Sequence, residues 1–121
     1  MVHILVLEDE RDVREVVVAA LEVGGHWVVG VGTIGAARAA LNQGGIELIV
    51  SDSLLGYSED KGLKIADEAR LRKVPLLMMT GSLRVQEEYT SDGTPFVTKP
   101  FRGSELRRQV DEAIKRGPAV N

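Results

Sequence analysis

The sequence predicts an α/β domain, a parallel sheet with helices on both faces joined by right-handed crossovers. Three observations carry this. Five short apolar runs rich in branched side chains recur along the 121 residues. Between them lie stretches whose apolar residues return at i, i+3, i+4 and i+7, the period of an amphipathic helix. Glycine pairs, prolines and capping side chains mark the junctions, and no repeat, linker or low-complexity tract interrupts the alternation.

Ile4-Leu5-Val6-Leu7 is apolar at every position, as a strand buried on both faces must be. The next segment is helical: Val13, Val16, Val17, Ala20 and Leu21 form one stripe, Asp9 or Asp12 caps it, and Gly24-Gly25 ends it. Trp27 to Val31 is a second strand, and all five strands are expected to be buried. Thr33 then caps a short helix in which Ile34, Ala37 and Leu41 share a face, and Gly44-Gly45 closes it. Leu48-Ile49-Val50 is a third strand running into Ser51-Asp52. A polar loop around Gly56 to Asp60 leads to a helix from about Gly62 to Arg72 with Leu63, Ala66 and Ala69 inward. Pro75 opens the fourth strand, Leu76 to Met79, which ends at Thr80-Gly81. Leu83 to Tyr89 has a weak pattern, one helical turn or two, so the fourth helix of segment 83–95 is expected short or irregular. Phe96-Val97-Thr98 is a fifth strand before Lys99-Pro100. Ser104 caps a last helix with Leu106, Val110, Ala113 and Ile114 on one face, terminated by Gly117-Pro118.

Composition sets the frame. With 44% hydrophobic and 27% charged residues and a net charge of -3, the chain reads as one soluble domain over residues 1–121, its core about 3–116. That length leaves no room for a separate output or DNA-binding half. The absence of cysteine excludes disulfide scaffolds, thiolate metal sites and cysteine nucleophiles. No run approaches the roughly 18 apolar residues of a membrane span, and Met1-Val2-His3 does not begin a signal peptide, so a cytoplasmic protein is expected. Charge is uneven. Residues 1–60 hold 10 acids and 3 bases, and residues 61–121 hold 8 acids and 12 bases.

In open parallel sheets ligands bind outside the carboxyl ends of the strands. The first strand here ends in Glu8-Asp9-Glu10, the third in Asp52, the fourth in Thr80 and the fifth in Lys99. If strands one and three are neighbours, as in the flavodoxin-like order 2-1-3-4-5, then Glu8, Asp9 and Asp52 converge. Three carboxylates that close resist ionising together unless a cation neutralises them, and an all-oxygen set suits Mg²⁺. A hydroxyl at Thr80 and an ammonium at Lys99 suit phosphoryl oxygens on the other side. The constellation reads as an aspartate, Asp52, that accepts a phosphoryl group with help from Mg²⁺.

Ile4 to Glu10, Leu48 to Asp52, Met79-Thr80-Gly81 and Phe96 to Phe101, in that order and each at a strand end, resemble the receiver domain of bacterial two-component response regulators, in its stand-alone, chemotaxis-regulator-like form. The resemblance covers essentially the whole chain. It implies a flavodoxin-like doubly wound (βα)5 fold with strand order 2-1-3-4-5. It implies Asp52 as phosphoacceptor, Asp9 as a direct Mg²⁺ ligand, Glu8 acting mainly through water, and the backbone carbonyl of Leu54 completing the shell. Lys99 would pair with the phosphoryl group, Thr80 would swing toward it, and Phe96 would be the switch aromatic that follows. The implied partners are a sensor histidine kinase or histidine phosphotransfer protein and a downstream protein target, with no nucleic acid or membrane, and homodimerisation left open. Such a domain assists only its own phosphorylation and dephosphorylation and is not an enzyme on a pool substrate.

Departures from the pattern are local. Glu8 replaces the more usual first aspartate, Gly56 stands where many receivers have proline, and the loop through Asp60 is about two residues longer than usual. Two readings compete. One is a degenerate receiver acting as an unphosphorylated interaction module. The other takes Gly30-Val31-Gly32-Thr33-Ile34-Gly35 as the G-x-G-x-x-G of a small nucleotide-sensing domain, with Asp52 17 residues beyond. Against the second, Thr33 is already a sufficient helix cap, and Glu8, Asp9, Thr80 and Lys99 are left unexplained. An aspartyl phosphatase of the haloacid dehalogenase type would need D-x-D after the first strand, and Asp9-Glu10-Arg11 lacks it. Arg102, Arg107, Arg108, Lys115 and Arg116 read as a solvated face, His3 and His26 carry no chemistry, and Met78-Met79 is core.

Overall fold

The computed structural model describes residues 1–53 and 61–119. Strands β1 (His3–Leu7), β2 (Trp27–Val31), β3 (Leu48–Asp52), β4 (Leu76–Thr80) and β5 (Phe96–Thr98) alternate with helices α1 (Arg11–Val23), α2 (Ile34–Asn42), α3 (Lys61–Arg72), α4 (Leu83–Asp92) and α5 (Gly103–Arg116). All strand pairs are parallel, in the order β2-β1-β3-β4-β5, so the flavodoxin-like doubly wound expectation holds.

Alternation along each strand divides the core into two layers. Ile4 and Val6 of β1, Leu48 and Val50 of β3, and Leu77 and Met79 of β4 face α1 and α5, which contribute Val17, Leu21, Leu106, Val110 and Ala113. Leu5, Leu7 and Ile49 face the other way, onto Ala37 and Leu41 of α2 and Ile65 and Ala69 of α3. Burying each large side chain stabilises the fold by roughly 1.5–3 kcal/mol, so the central strands hold the sheet together.

Several sequence expectations need correction. β2 is not a buried strand: it is the sheet edge, with Trp27 and Val29 about half exposed, because only β1 flanks it. Neither Asp9 nor Asp12 caps α1, whose N-cap is Glu10 without a side-chain bond. Val16, included in the apolar stripe, is 67% exposed, since the stripe of α1 is wider than the arc the sheet covers. Ser104 lies inside α5 and its N-cap is Arg102, again with no side-chain bond. Among the described side chains of α3, Ile65, which the pattern missed, is fully buried, beside Ala69. The fourth helix is regular, ten residues long, capped by Ser82 through the Val85 amide and closed by Gly93 in the left-handed conformation. Thr33 caps α2 through the Ala36 amide as expected. The polar loop around Gly56–Asp60, Leu54 and the Leu63 side chain lie outside the described residues.

Candidate functional site

Register decides which strand ends meet. Leu7 pairs with Ser51, Asp52 with Met79, and Thr80 with Thr98, so the residues that follow β1, end β3 and β4, and follow β5 line one rim. Backbone bonds continue the pattern past the strands. Glu8 N–H donates to the Val31 carbonyl at 3.0 Å, and Lys99 N–H to the Thr80 carbonyl at 2.8 Å.

On this rim the Lys99 ammonium donates to Glu8 Oε1 at 2.9 Å and to Asp52 Oδ1 at 3.2 Å. Both carboxylates are buried and Lys99 is partly covered. Glu8 Oε2 accepts from the Glu10 amide at 3.2 Å. One carboxylate oxygen from each of Glu8, Asp9 and Asp52 lies within 4.8 Å of the other two. The structure thus brings together Glu8, Asp9, Asp52 and Lys99, four of the residues singled out from the sequence. Leu54 lies outside the described residues.

Electrostatics follow the geometry. Burial pushes the Glu8 carboxyl above its ordinary value and the neighbouring Asp52 charge adds to this, while the bond from Lys99 opposes it. Burial alone would lower Lys99. Its hydrogen bond to Glu8 and the charges of Asp52 and Glu8 outweigh that, and its pKa is raised. The Lys99 charge therefore compensates two buried carboxylates, while Asp9 remains exposed beside them.

Thr80 is fully buried and its Oγ1 accepts from the Ser82 amide at 3.1 Å, two residues on. Phe96 is half-buried, its ring 6.0 Å from that of Tyr89 on α4 and tilted by 40°. Burial pushes the Tyr89 hydroxyl up to about 12. Tyr89 had no distinguishing signal in the sequence, since it ends a weak helical pattern. A groove of about 550 Å³, lined by Phe96, Pro100, Phe101 and Gln109 among others, runs beside β5 and α5 rather than over the carboxylates.

The residues present fit a divalent cation of the Mg²⁺ kind: every donor is a carboxylate oxygen, and two of the three belong to buried side chains that need a countercharge. The glycine motif fits a nucleotide poorly. Thr33 spends its hydroxyl on capping α2, and the third glycine, Gly35, has open space around it rather than a close packing partner.

No family model matches the chain. It is 33% identical over 121 residues to the phosphate regulon transcriptional regulatory protein PhoB of Klebsiella pneumoniae, covering 94% of this chain and 52% of that protein. It is 32% identical over 122 residues to the transcriptional regulatory protein TcrA of Mycobacterium tuberculosis (strain ATCC 25618 / H37Rv), covering 97% of this chain and 47% of that one. The chain thus spans about half the length of these curated relatives. Among solved structures, the receiver domain of NtrX from Brucella abortus superposes with a TM-score of 0.81 at 27% identity, over 93% of this chain and 98% of that one. The chemotaxis response regulator CheY4 of Vibrio cholerae shares the fold, with a TM-score of 0.80 at 22% identity over 93% and 98% of the two chains. Along nearly its whole length the chain is similar in sequence to transcriptional response regulators, and its fold is that of the receiver domains of two-component response regulators.

Proposed function

We propose that the chain is a phosphorelay receiver, taken as a single domain over residues 1–121, that accepts a phosphoryl group on Asp52 from a phosphohistidine of a sensor histidine kinase or phosphotransfer protein. The observation that carries this reading is the placement of Lys99 within hydrogen-bond distance of Asp52 and Glu8, on the rim where the oxygens of Glu8, Asp9 and Asp52 converge.

In the transfer, an Asp52 carboxylate oxygen attacks phosphorus in line. The new O–P bond forms as the N–P bond breaks, and the departing histidine nitrogen keeps the electron pair. Asp52 is held for this at the end of a strand whose five residues are all buried, which fixes its direction. Lys99 pairs with phosphoryl oxygens as their charge reaches Asp52. It would do so by giving up its bonds to the carboxylates, so the same ammonium balances the site before and after transfer. Glu8, Asp9 and Asp52, with the Leu54 carbonyl, are the residues that would hold Mg²⁺. When bound, the ion neutralises charge on the carboxylates and the incoming phosphoryl group.

The output follows from Thr80. Its hydroxyl now serves the Ser82 amide at the start of α4, and a phosphoryl oxygen would compete for it. Drawing Thr80 away releases the Ser82 turn and opens space for the Phe96 ring, which touches α4 through Tyr89. The face beside β5, with its groove, is then the surface whose partner affinity changes, a shift between two states biased by the new phosphoryl contacts. The chain acts on its own phosphorylation state and signals by contact.

The test is incubation with a small phosphodonor such as acetyl phosphate, with and without Mg²⁺, read by intact mass. One phosphoryl group should appear on the wild type only with Mg²⁺ and never on Asp52→Asn. An unmodified wild type would instead support the unphosphorylated interaction module.

A further inference from the structure

The turn from β1 to α1 delivers Glu8 and Asp9, yet α1 has no side-chain cap to fix the turn. Two contacts hold Glu8 by its main chain. Its N–H donates to the Val31 carbonyl at 3.0 Å, and its carbonyl accepts from Arg14 Nη1 at 2.9 Å. Arg14 leaves α1 one turn into the helix, is half-buried, and crosses the end of β2 to reach that carbonyl.

The crossing depends on two glycines. A Cβ on Gly30 would stand 3.2 Å from Arg14 Cγ and 3.0 Å from Val18 Cγ2, and a Cβ on Gly32 would stand 2.7 Å from Arg14 Nη1. Neither has the positive φ that would demand glycine for its backbone, whereas Gly25, Gly44 and Gly45 do. Space is therefore the reason for glycine at 30 and 32: Val18 and Arg14, both from α1, fill it at Gly30, and the Arg14 guanidinium fills it at Gly32. This accounts for the first two glycines of the G-x-G-x-x-G without a phosphate. Among the described residues Arg14 forms no ion pair with a carboxylate; its hydrogen bond goes to the Glu8 carbonyl. Its reach is spent on geometry rather than on neutralising the cluster.

We propose that Arg14 is a positioning residue for the acidic cluster: it grips the Glu8 carbonyl and so sets where the Glu8 and Asp9 carboxylates stand, while Gly32 keeps its path clear. The inference rests on the reading of Glu8, Asp9 and Asp52 as a cation site. Partners that orient ligands from behind typically change metal affinity by about 10–100-fold when removed.

The experiment titrates MgCl₂ into the full chain by calorimetry and by amide NMR shifts, for wild type, Arg14→Met, Arg14→Lys, Gly32→Ala and the Arg14→Met/Gly32→Ala double variant. Thermal unfolding of each without Mg²⁺ runs alongside. Arg14→Met and Gly32→Ala should each weaken Mg²⁺ binding about tenfold, and hydrogen exchange should quicken at the Glu8 to Glu10 amides and not in β3. Arg14→Lys, which keeps a donor on a stem that passes Gly32, should recover most of the affinity. Adding Gly32→Ala to Arg14→Met should cost no further affinity, since both remove the same contact. A wild type that binds Mg²⁺ with Arg14→Met and Gly32→Ala unchanged overturns the inference alone, even if their melting temperatures fall. Additive losses in the double variant overturn it too. A flat wild-type titration overturns the cation-site reading and the inference together. Should Arg14→Met fail to fold, Gly32→Ala decides, because it leaves α1 intact.

Discussion

The middle of the sheet and its carboxyl-terminal rim are built from the same strands under opposite rules. In the middle, Ile4 to Leu7, Leu48 to Val50 and Leu77 to Met79 are apolar and at most 2% exposed. At the rim, Glu8, Ser51, Asp52 and Thr80 are also buried but polar, and among the described residues they are the only buried polar side chains. The middle gains free energy from every residue it hides. The rim hides charges at a cost and recovers part of it through one ammonium. Stability and chemistry are thus separated along the strand axis by one or two residues, and substitutions on either side of that line should behave differently.

The largest effect should come from the middle. Ile49→Ala empties a site between α2 and α3 and should cost about 2–5 kcal/mol in urea unfolding while leaving Mg²⁺-dependent phosphorylation of the surviving folded fraction intact. Loss of phosphorylation beyond the loss of fold would show that the two zones are not separate. Lys99→Met comes next: it strands two buried carboxylates and should destabilise by about 2 kcal/mol at neutral pH, with slower phosphorylation. Here the direction with pH is fixed. Lys99 titrates above its ordinary value of 10.5 in the fold, so its contribution is complete below that pH and is lost as pH rises through the higher folded value. The stability gap between wild type and Lys99→Met should therefore close in strong alkali, and a gap that stays constant there would assign it to packing. The smallest effect should have the opposite sign. Asp52→Asn removes one of the crowded carboxylates, so it should unfold at equal or higher denaturant, by up to about 1 kcal/mol, although on the proposed reading it takes no phosphoryl group. A clear loss of stability would mean that the Asp52–Lys99 pair outweighs the repulsion.

Much of this plan was legible in the sequence because strand ends are local. An apolar run that stops at Asp52 or at Lys99 announces both the strand and the polar group beyond it, and the strand order brings those ends together. Helix starts were less legible. Asp9 lies at the rim, where the carboxylates converge, and does not cap α1, and an acid's competing duties cannot be read from its neighbours in sequence. Val16 was misread because periodicity gives the width of an apolar stripe but not the arc its neighbours cover. Ile65 was missed for the complementary reason, in a helix where charged residues dilute the stripe. The glycines at 30 and 32 invited a nucleotide reading because a missing side chain shows only that something must come close. Side chains of α1 do: Val18 and Arg14 at Gly30, Arg14 at Gly32.

The Lys99–Glu8 contact joins residues 91 apart and the Lys99–Asp52 contact residues 47 apart. A chain emerging from synthesis passes through a long interval in which Glu8, Asp9 and Asp52 exist without their ammonium, because β5 is last in the sequence and an edge in the sheet. Contacts of such separation form late, after the loop-closure entropy of the intervening chain has been overcome. The carboxylates gathered at the rim before then repel one another with nothing to balance them, so incomplete chains are disfavoured at the very place where chemistry would occur. On the proposed reading, phosphoryl acceptance requires β5 to have joined the sheet, so a fragment stopping before Lys99 should take no phosphoryl group from a phosphodonor however well its first four strands have paired.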